Sequence, residues 1–259
     1  HIDRESSFTF RESGLHGLIE LSRLSMIPLQ DVSRLSPGSA ISAMQVNEAV
    51  RTGHVILWKK NRPEDFKTAG ALIVSDRGGF IYEPRVGVHD GVWEVDFFSL
   101  YPSIMVAHNI SPETVMCSCC PRSSRTVPEL GYRICEKRTG LVPRVLVPIL
   151  NRRRAYKELK KQGGHKGDMY DQRAKALKWV LVTCFGYTGY RNARFGRIEC
   201  HESITAFGRD ILMRSADIAE RRGFEVLHGI VDSLWLKGDG NIRSYCEEIG
   251  REIGIPLNL

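Results

Sequence analysis

The order of apolar and polar residues along the chain predicts a mixture of helices and strands. Apolar residues at helical spacing predict a first helix over residues 14–25, which Pro28 closes, and a second over residues 42–50. A pair of long helices is joined by the short segment GGHKGD, whose three glycines favour a tight antiparallel connection. These and the later predicted helices cover residues 145–162, 169–185, 202–221 and 242–253.

Alternating or continuous apolar runs predict the strands. The run ALIVS, the turn DRGG and the run FIYEP predict a hairpin within residues 70–84. WEVDF, at residues 93–97, alternates as a strand does, and residues 224–238 predict two strands around a turn. Because helices and strands do not alternate regularly, the order predicts an α+β fold rather than a parallel α/β sheet.

Bulk composition narrows the class of protein without deciding it. The 259 residues are 42% hydrophobic and 26% charged, as in an ordinary globular protein. No run of 18 apolar residues and no secretory signal is visible, which predicts an intracellular protein without a membrane span. The net charge is +7, and residues 151–178 alone hold ten basic against three acidic residues. That surplus indicates either a solvated helical surface or a phosphate-binding surface.

The seven cysteines leave several interpretations open. Cys117, Cys119, Cys120 and Cys135 fall within one 19-residue stretch. The odd total argues against a disulfide framework, and the spacing lacks the paired C-x-x-C units typical of a zinc site. A bound metal, a local disulfide and free thiols all remain open.

Two aspartates at the ends of predicted strands are candidates for catalysis. Asp96 lies at the end of its predicted strand and begins the string DFFSLYPSI, and Asp232 lies in the turn of HGIVDSLW. Nucleotidyl transfer uses two divalent cations held by such carboxylates. Taken alone, each aspartate is equally compatible with a structural cap or turn residue.

The string D-x-x-S-L-Y-P-S-I resembles the first palm motif of family B DNA polymerases of the archaeal type. The resemblance implies that Asp96 and the backbone carbonyl of Phe97 bind metal. It further implies that Ser99 and Leu100 receive the triphosphate, and that Tyr101 lies under the sugar and excludes a 2′-hydroxyl group.

The two long predicted helices resemble the fingers of the same family. Arg153 and Lys157 are four residues apart and share a helical face. The alignment of ILNRRRAYK makes Arg153 a triphosphate contact and Lys157 a second one. Lys178, on the returning helix, matches the motif's lysine and implies a further phosphate contact.

The returning helix and the second aspartate also depart from the family pattern. Val182 replaces an asparagine and Phe185 a tyrosine, while Gly186 is retained, and these positions imply a platform for the incoming base pair. In the third motif Ile230 replaces the first aspartate, whereas Asp232, the direct metal ligand in the family, is kept.

The resemblance runs from about residue 6 to residue 257 and implies a subdomain plan. We expect a palm with an antiparallel, ferredoxin- or RRM-like sheet backed by helices, interrupted by an inserted two-helix fingers subdomain. Residues 1–144 form the connecting region and first part of the palm, 145–190 the fingers, and 191–259 the second part of the palm. The chain is expected to lack the exonuclease domain and the thumb.

The function implied is template-directed addition of deoxynucleotides to a primer 3′ end, in replication or repair. It requires two Mg²⁺ ions, with Mn²⁺ as a substitute, together with primer–template DNA and deoxynucleoside triphosphates. A second polypeptide supplying the thumb or exonuclease is a further hypothesis, and a cytoplasmic, nucleoid-associated location is expected. The alternatives are a weak or inactive polymerase-like scaffold and an RNA-binding module.

Overall fold

The computed structural model describes residues 8–58, 60, 64–75 and 77–259. In chain order the elements are α1 (Phe8–Ser25), α2 (Leu29–Val32), α3 (Pro37–Arg51), α4 (Ala69–Ser75), β1 (Ile81–Tyr82), β2 (Val92–Phe97), α5 (Leu100–Ala107), α6 (Leu141–Lys161), α7 (Gly167–Gly189), α8 (Ile198–Arg221), β3 (Glu225–Ile230), β4 (Ser233–Lys237), α9 (Ile242–Ile253) and β5 (Leu257–Asn258).

These elements divide into two compact units, each formed by separated parts of the chain. The first unit holds the described residues up to Glu64, together with Ser111–Thr114 and Arg138–His201. The second holds Asp65–Ile110, Val115–Lys137 and Glu202–Leu259. The predicted division into palm (residues 1–144 and 191–259, the first with the connecting region) and fingers (residues 145–190) is a functional one, and it remains a prediction.

The first unit is helical and is organised around α7. This helix packs against α1, α3 and α6. Its core consists of fully buried aliphatic side chains, including Leu18, Ile41, Leu146 and Leu177. The helix α1 is kinked at Gly14, where a φ of 62° requires a residue without a side chain.

The second unit contains a five-stranded antiparallel sheet in the order β1–β3–β4–β2–β5. The alternation of β2 buries Val95 and Phe97 and leaves Asp96 exposed on the opposite face. The adjacent strand β4 likewise buries Leu234 and Leu236. The predicted α+β class, with a mixture of helices and antiparallel strands, is therefore confirmed.

The last helix shows why some boundaries were predictable. At the start of α9 the side chain of Asn241 accepts a hydrogen bond of 3.1 Å from the backbone N–H of Ser244. At its end Gly254 adopts the left-handed conformation with φ 76°. These two local signals place the helix at residues 242–253, as the sequence predicts.

The predicted hairpin within residues 70–84 is wrong in its first half. Residues 69–75 form the helix α4, and the backbone N–H of Ala71 donates to Thr68 Oγ1 at 3.2 Å, which is an N-cap contact. A short apolar run fits either a strand or a helix, and here the cap favours the helix. Of the second half, only Ile81 and Tyr82 form a strand, which pairs with β3; Asp76 of the predicted turn lies outside the described residues.

Across the described residues, each helix is too short or too polar to cross a lipid bilayer. None of the seven cysteines, all of which lie within the described residues, forms a disulfide bond.

Candidate active site

The two candidate aspartates lie on neighbouring strands of the second unit. Asp96 pairs with Ser233 across β2 and β4, and Asp232 directly precedes that serine. The backbone N–H of Phe97 donates to the carbonyl oxygen of Asp232 at 2.9 Å. In addition, Ser233 Oγ donates to Asp96 Oδ1 at 3.4 Å. The fold thus brings together two residues that are 136 positions apart.

Asp232 lies in a two-residue turn with an unusual backbone. Ile230 pairs with Ser233, so Val231 and Asp232 form the connection between β3 and β4. Val231 has φ 54°, a region that β-branched residues rarely adopt. Its N–H donates to the carbonyl of Phe80 at 2.9 Å, which helps to hold this conformation. Backbone strain of this kind concentrates at functional sites.

The ring of Tyr101 lies between two glycines. A Cβ added at Gly208 would be 2.9 Å from Tyr101 Cε1, and one added at Gly79 would be 3.0 Å from its hydroxyl oxygen and 3.0 Å from Val231. Burial raises the pKa of the Tyr101 hydroxyl group, and the negative charge of Asp232 raises it further. Tyr101 therefore lies beside the turn that carries the second aspartate.

A buried arginine supports this part of the site. Arg209 is 4% exposed, and its guanidinium group binds Glu129, with Nη2 at 2.6 Å from Oε2. Arg209 Nη1 also donates to the carbonyl of Gly78 at 2.6 Å, which anchors the segment next to Gly79. Sequence reasoning missed Gly79, Gly208, Glu129 and Arg209. They reach the site from distant parts of the chain, and no local motif marks them.

The residues after Asp96 lead into the N-terminus of α5. Ser99 adopts a left-handed conformation with φ 48°, and the helix begins at Leu100. The side chains of Phe97 and Leu100 are buried, so only their backbone groups are available for the predicted metal and triphosphate contacts. The N–H groups of a first helical turn have no partner within the helix and favour anions.

In the first unit, the three predicted phosphate-binding residues line one groove. Arg153 and Lys157 on α6 and Lys178 on α7 border a cavity of about 340 Å³. The remaining residues that line it are Lys160, Lys161, Asp171, Ala174 and Lys175. The cavity is thus bordered by six basic residues and one acidic residue.

The acidic residue of the groove, Asp171, forms ion pairs with two of the lysines. Asp171 binds Lys160 at 2.6 Å and Lys175 at 2.9 Å, between carboxylate oxygen and Nζ atoms. The hydrogen bond from Lys160 is the main cause that lowers the pKa of Asp171. The groove retains a surplus of positive charge, which favours a phosphate-bearing ligand.

The predicted base-pair platform lies further along α7. Val182 is 49% exposed, and a Cβ added at Gly186 would meet no atom within 4 Å. Phe185 instead stacks on His201, with ring centroids 4.5 Å apart and an interplanar angle of 20°. Lys178, Val182 and Gly186 therefore form an exposed strip, while the Phe185 ring packs against its own unit.

Comparison with known proteins gives a consistent result. The family model described as "DNA polymerase family B" matches residues 41–237. "DNA polymerase 2" of Saccharolobus solfataricus is 37% identical over 242 residues, which is 93% of this chain and 36% of that protein. "DNA polymerase" of Archaeoglobus fulgidus is 34% identical over 247 residues, which is 93% of this chain and 30% of that protein.

A solved structure agrees with the sequence comparisons. The family B DNA polymerase from Pyrobaculum calidifontis superimposes with a TM-score of 0.71 at 31% identity, covering 95% of this chain and 32% of that one. This chain spans about a third of the length of the relatives it matches. The predicted resemblance is confirmed, and the chain belongs to the family B DNA polymerases.

Proposed function

We propose that this chain carries the palm and fingers of a DNA-directed DNA polymerase. In the reaction, the oxygen of a primer 3′-hydroxyl group bonds to the α-phosphorus of a deoxynucleoside triphosphate. The bond between that phosphorus and the bridging α–β oxygen breaks, and pyrophosphate leaves. The observation that carries the proposal is the juxtaposition of Asp96 and Asp232 through the β2–β4 pairing.

Family B DNA polymerases generally use divalent metals, and the residues of this site fit such a group. Two carboxylates and the nearby backbone carbonyl of Phe97 supply the oxygen ligands that Mg²⁺ prefers, and Mn²⁺ accepts the same set. When bound, two such ions activate the attacking hydroxyl group and stabilise the leaving pyrophosphate. The role of Asp96 and Asp232 is to fix the positions of the ions.

The remaining site residues bind and select the nucleotide. In the first unit, Arg153, Lys157 and Lys178 bind phosphate groups of the nucleotide. In the second unit, the backbone N–H groups at Ser99 and Leu100 have the same role. Tyr101, fixed between Gly79 and Gly208, occupies the space that a 2′-hydroxyl group would need. The exposed strip containing Val182 and Gly186 receives the incoming base pair, next to the ring of Phe185. A location at the nucleoid follows from a DNA substrate.

The second candidate function is a polymerase-like scaffold with weak or no activity. It is favoured by Ile230, an apolar side chain that is 39% exposed next to the catalytic turn, where the family has an aspartate. A second polypeptide supplying a thumb or exonuclease has no support in the comparisons. The relatives contain the matched region as about a third of one longer chain.

Primer extension separates the two candidates. The purified protein is assayed with Mg²⁺, and again with Mn²⁺, on a primed template. Asp232→Asn keeps the shape of the side chain and removes the charge that holds the metals. We expect the extension rate to fall by at least about a thousandfold, since metal clamping contributes several kcal/mol to the transition state.

The matched control is Asp239→Asn, an exposed aspartate in the segment between β4 and α9. This variant should extend the primer at the wild-type rate. Equal products from the wild-type protein and Asp232→Asn would contradict the enzymatic proposal and support the scaffold. Metal-independent RNA binding without extension would support the RNA-binding alternative.

A further inference from the structure

Four cysteines of the second unit, in the stretch of chain that follows α5, come together in space. Their Sγ atoms all lie within 4.8 Å of one another. The Sγ of Cys119 is 3.4 Å from that of Cys117, 3.8 Å from that of Cys120 and 3.6 Å from that of Cys135. The Cys120 and Cys135 sulfurs are 3.7 Å apart. None of these residues takes part in the proposed polymerase reaction.

These distances fit the coordination shell of one tetrahedral metal ion. Zinc binds thiolate sulfur at about 2.3 Å, and four sulfurs at the corners of that tetrahedron are separated by about 3.8 Å. These four separations, 3.4, 3.6, 3.7 and 3.8 Å, lie at or just below this value, and the other two sulfur pairs are within 4.8 Å. A tetrahedral site of four sulfurs is typical of zinc or iron–sulfur centres.

The compactness of the cluster distinguishes a single ion from the other interpretations. In an iron–sulfur cluster the cysteines bind different iron atoms and are held further apart than on one shared ion. A disulfide would use two of the sulfurs and leave the other two beside it without a function. A single ion uses all four.

The backbone around the cysteines holds them in place. Val115 and Ile134 form an antiparallel bridge, and the N–H of Met116 donates to the carbonyl of Arg133 at 2.7 Å. The carbonyl of Cys120 accepts from the N–H of Ser123 at 3.2 Å, and that of Cys135 accepts from the Asn109 side chain at 3.1 Å. The ligands therefore lie on a connected frame.

Burial and charge also suit a structural metal centre. Cys135 is 0% and Cys120 8% exposed, while the other two cysteines are half-buried, so the cluster is shielded but reachable. A Zn²⁺ ion with four thiolates has a net charge of −2. The surrounding segment, residues 115–137, contains four basic residues and two acidic ones, which compensates that charge.

We propose that Cys117, Cys119, Cys120 and Cys135 bind one Zn²⁺ ion in a closed, structural site. The sequence spacing obscured it because only the fold brings Cys135 beside the other three. With all four positions taken by protein ligands, the ion has no open position for substrate. It ties the segment before Cys120 to the segment that carries Cys135.

The first test is metal analysis of the wild-type protein, purified with a non-thiol reductant and without chelators. Elemental analysis should find about one zinc per chain. X-ray absorption at the zinc edge should show four sulfur neighbours at about 2.3 Å. Sulfur neighbours distinguish this site from zinc adventitiously bound at Asp96 and Asp232, whose ligands are oxygen.

The second test uses matched cysteine variants. Cys117→Ser removes a half-buried ligand, whereas Cys246→Ser removes a half-buried cysteine outside the cluster. Zinc should leave Cys117→Ser at a chelator concentration that leaves the wild type and Cys246→Ser loaded. If Cys117→Ser fails to fold, Co²⁺ substitution of the wild type decides: a tetrathiolate site gives intense sulfur-to-cobalt charge-transfer bands.

Several results would overturn the proposal. Four titratable thiols without metal, a disulfide between any two of the four cysteines, or iron in place of zinc would each do so. Equal zinc retention by the wild type and Cys117→Ser would also contradict it, as would cobalt spectra without charge-transfer bands.

Discussion

At the scale of single residues, Tyr101 shows how the site depends on what surrounds a motif residue. The sequence motif identifies Tyr101 and implies its role. The position of the Tyr101 ring, however, is fixed by Gly79 and Gly208, which are 22 residues before and 107 residues after it. The absence of a side chain at Gly208 is required because the ring occupies that space. A sequence motif identifies a functional residue more readily than it identifies the residues that hold its side chain in place.

Gly208→Ala tests this packing directly. The added methyl group would lie 2.9 Å from Tyr101 Cε1, so the ring must move. We expect a loss of about 1–3 kcal/mol in the free energy of unfolding, measured by urea denaturation, because overpacking is costly. If Tyr101 selects deoxynucleotides as proposed, the displaced ring should also raise incorporation of ribonucleotides relative to deoxynucleotides.

The control for this variant is Gly250→Ala, in the interior of α9, where an added Cβ meets no atom within 4 Å. There alanine should be neutral or stabilise by up to about 1 kcal/mol through its helix propensity. Equal stability of the two variants would show that the Tyr101 ring is not confined.

At the scale of elements, the success of the sequence predictions depended on whether a signal was local. The helix α9 has a cap and a terminating glycine, and its bounds were predicted correctly. Residues 69–75 combine β-branched apolar residues with a Thr68 cap, and the apolar run misled the prediction. The resemblance predicted Arg153, Lys157 and Lys178 as phosphate contacts, but only the fold shows that they share one groove.

The groove between α6 and α7 gives a prediction with neighbouring residues as test and control. Arg153 lines the groove, whereas Arg154, the next residue on the same helix, is exposed and does not line it. Arg153→Gln should lower kcat/KM for deoxynucleotides by about 10- to 100-fold, the effect of losing one charge-assisted hydrogen bond. Steady-state primer extension at varied nucleotide concentration measures it.

Arg154→Gln should retain the wild-type kcat/KM. Binding of a non-hydrolysable triphosphate at equilibrium gives a readout independent of chemistry and should weaken only in Arg153→Gln. The phosphate assignment would be refuted if both variants bound the triphosphate equally well.

At the scale of the whole molecule, the family could be recognised from sequence because its motifs are contiguous strings. The residues that hold the site and the surrounding chain in place could not be recognised from the sequence. Glu129 and the buried Arg209 form an ion pair across 80 positions, and the cysteine cluster closes across 15 to 18 positions without a standard spacing. Such contacts form only in the folded chain and produce no repeating pattern in the sequence. The sequence alone therefore left a bound metal, a local disulfide and free thiols open for the four cysteines.

The stability of the chain should depend on pH through His108, a half-buried histidine. His108 stacks on Phe207 with ring centroids 3.8 Å apart. Burial, with the positive charges of Arg125 and Arg214, lowers the pKa of His108 to about 4 from 6.5. Between these values the unfolded chain binds more protons than the folded one. The contribution of neutral His108 to the free energy of unfolding is therefore fully present above pH 6.5, and it is lost progressively as the pH decreases toward 4.

The expected loss attributable to His108 is up to about 2 kcal/mol between pH 7.5 and pH 5, given 1.36 kcal/mol for each pKa unit. Urea denaturation at the two pH values measures it. His108→Gln should be less stable than the wild type at pH 7.5, because the ring contact with Phe207 is lost, but it should lose less stability on acidification. His165→Gln, at an exposed position, should retain the full wild-type pH dependence. If the wild type and His108→Gln lose equal stability on acidification, His108 is not the group responsible.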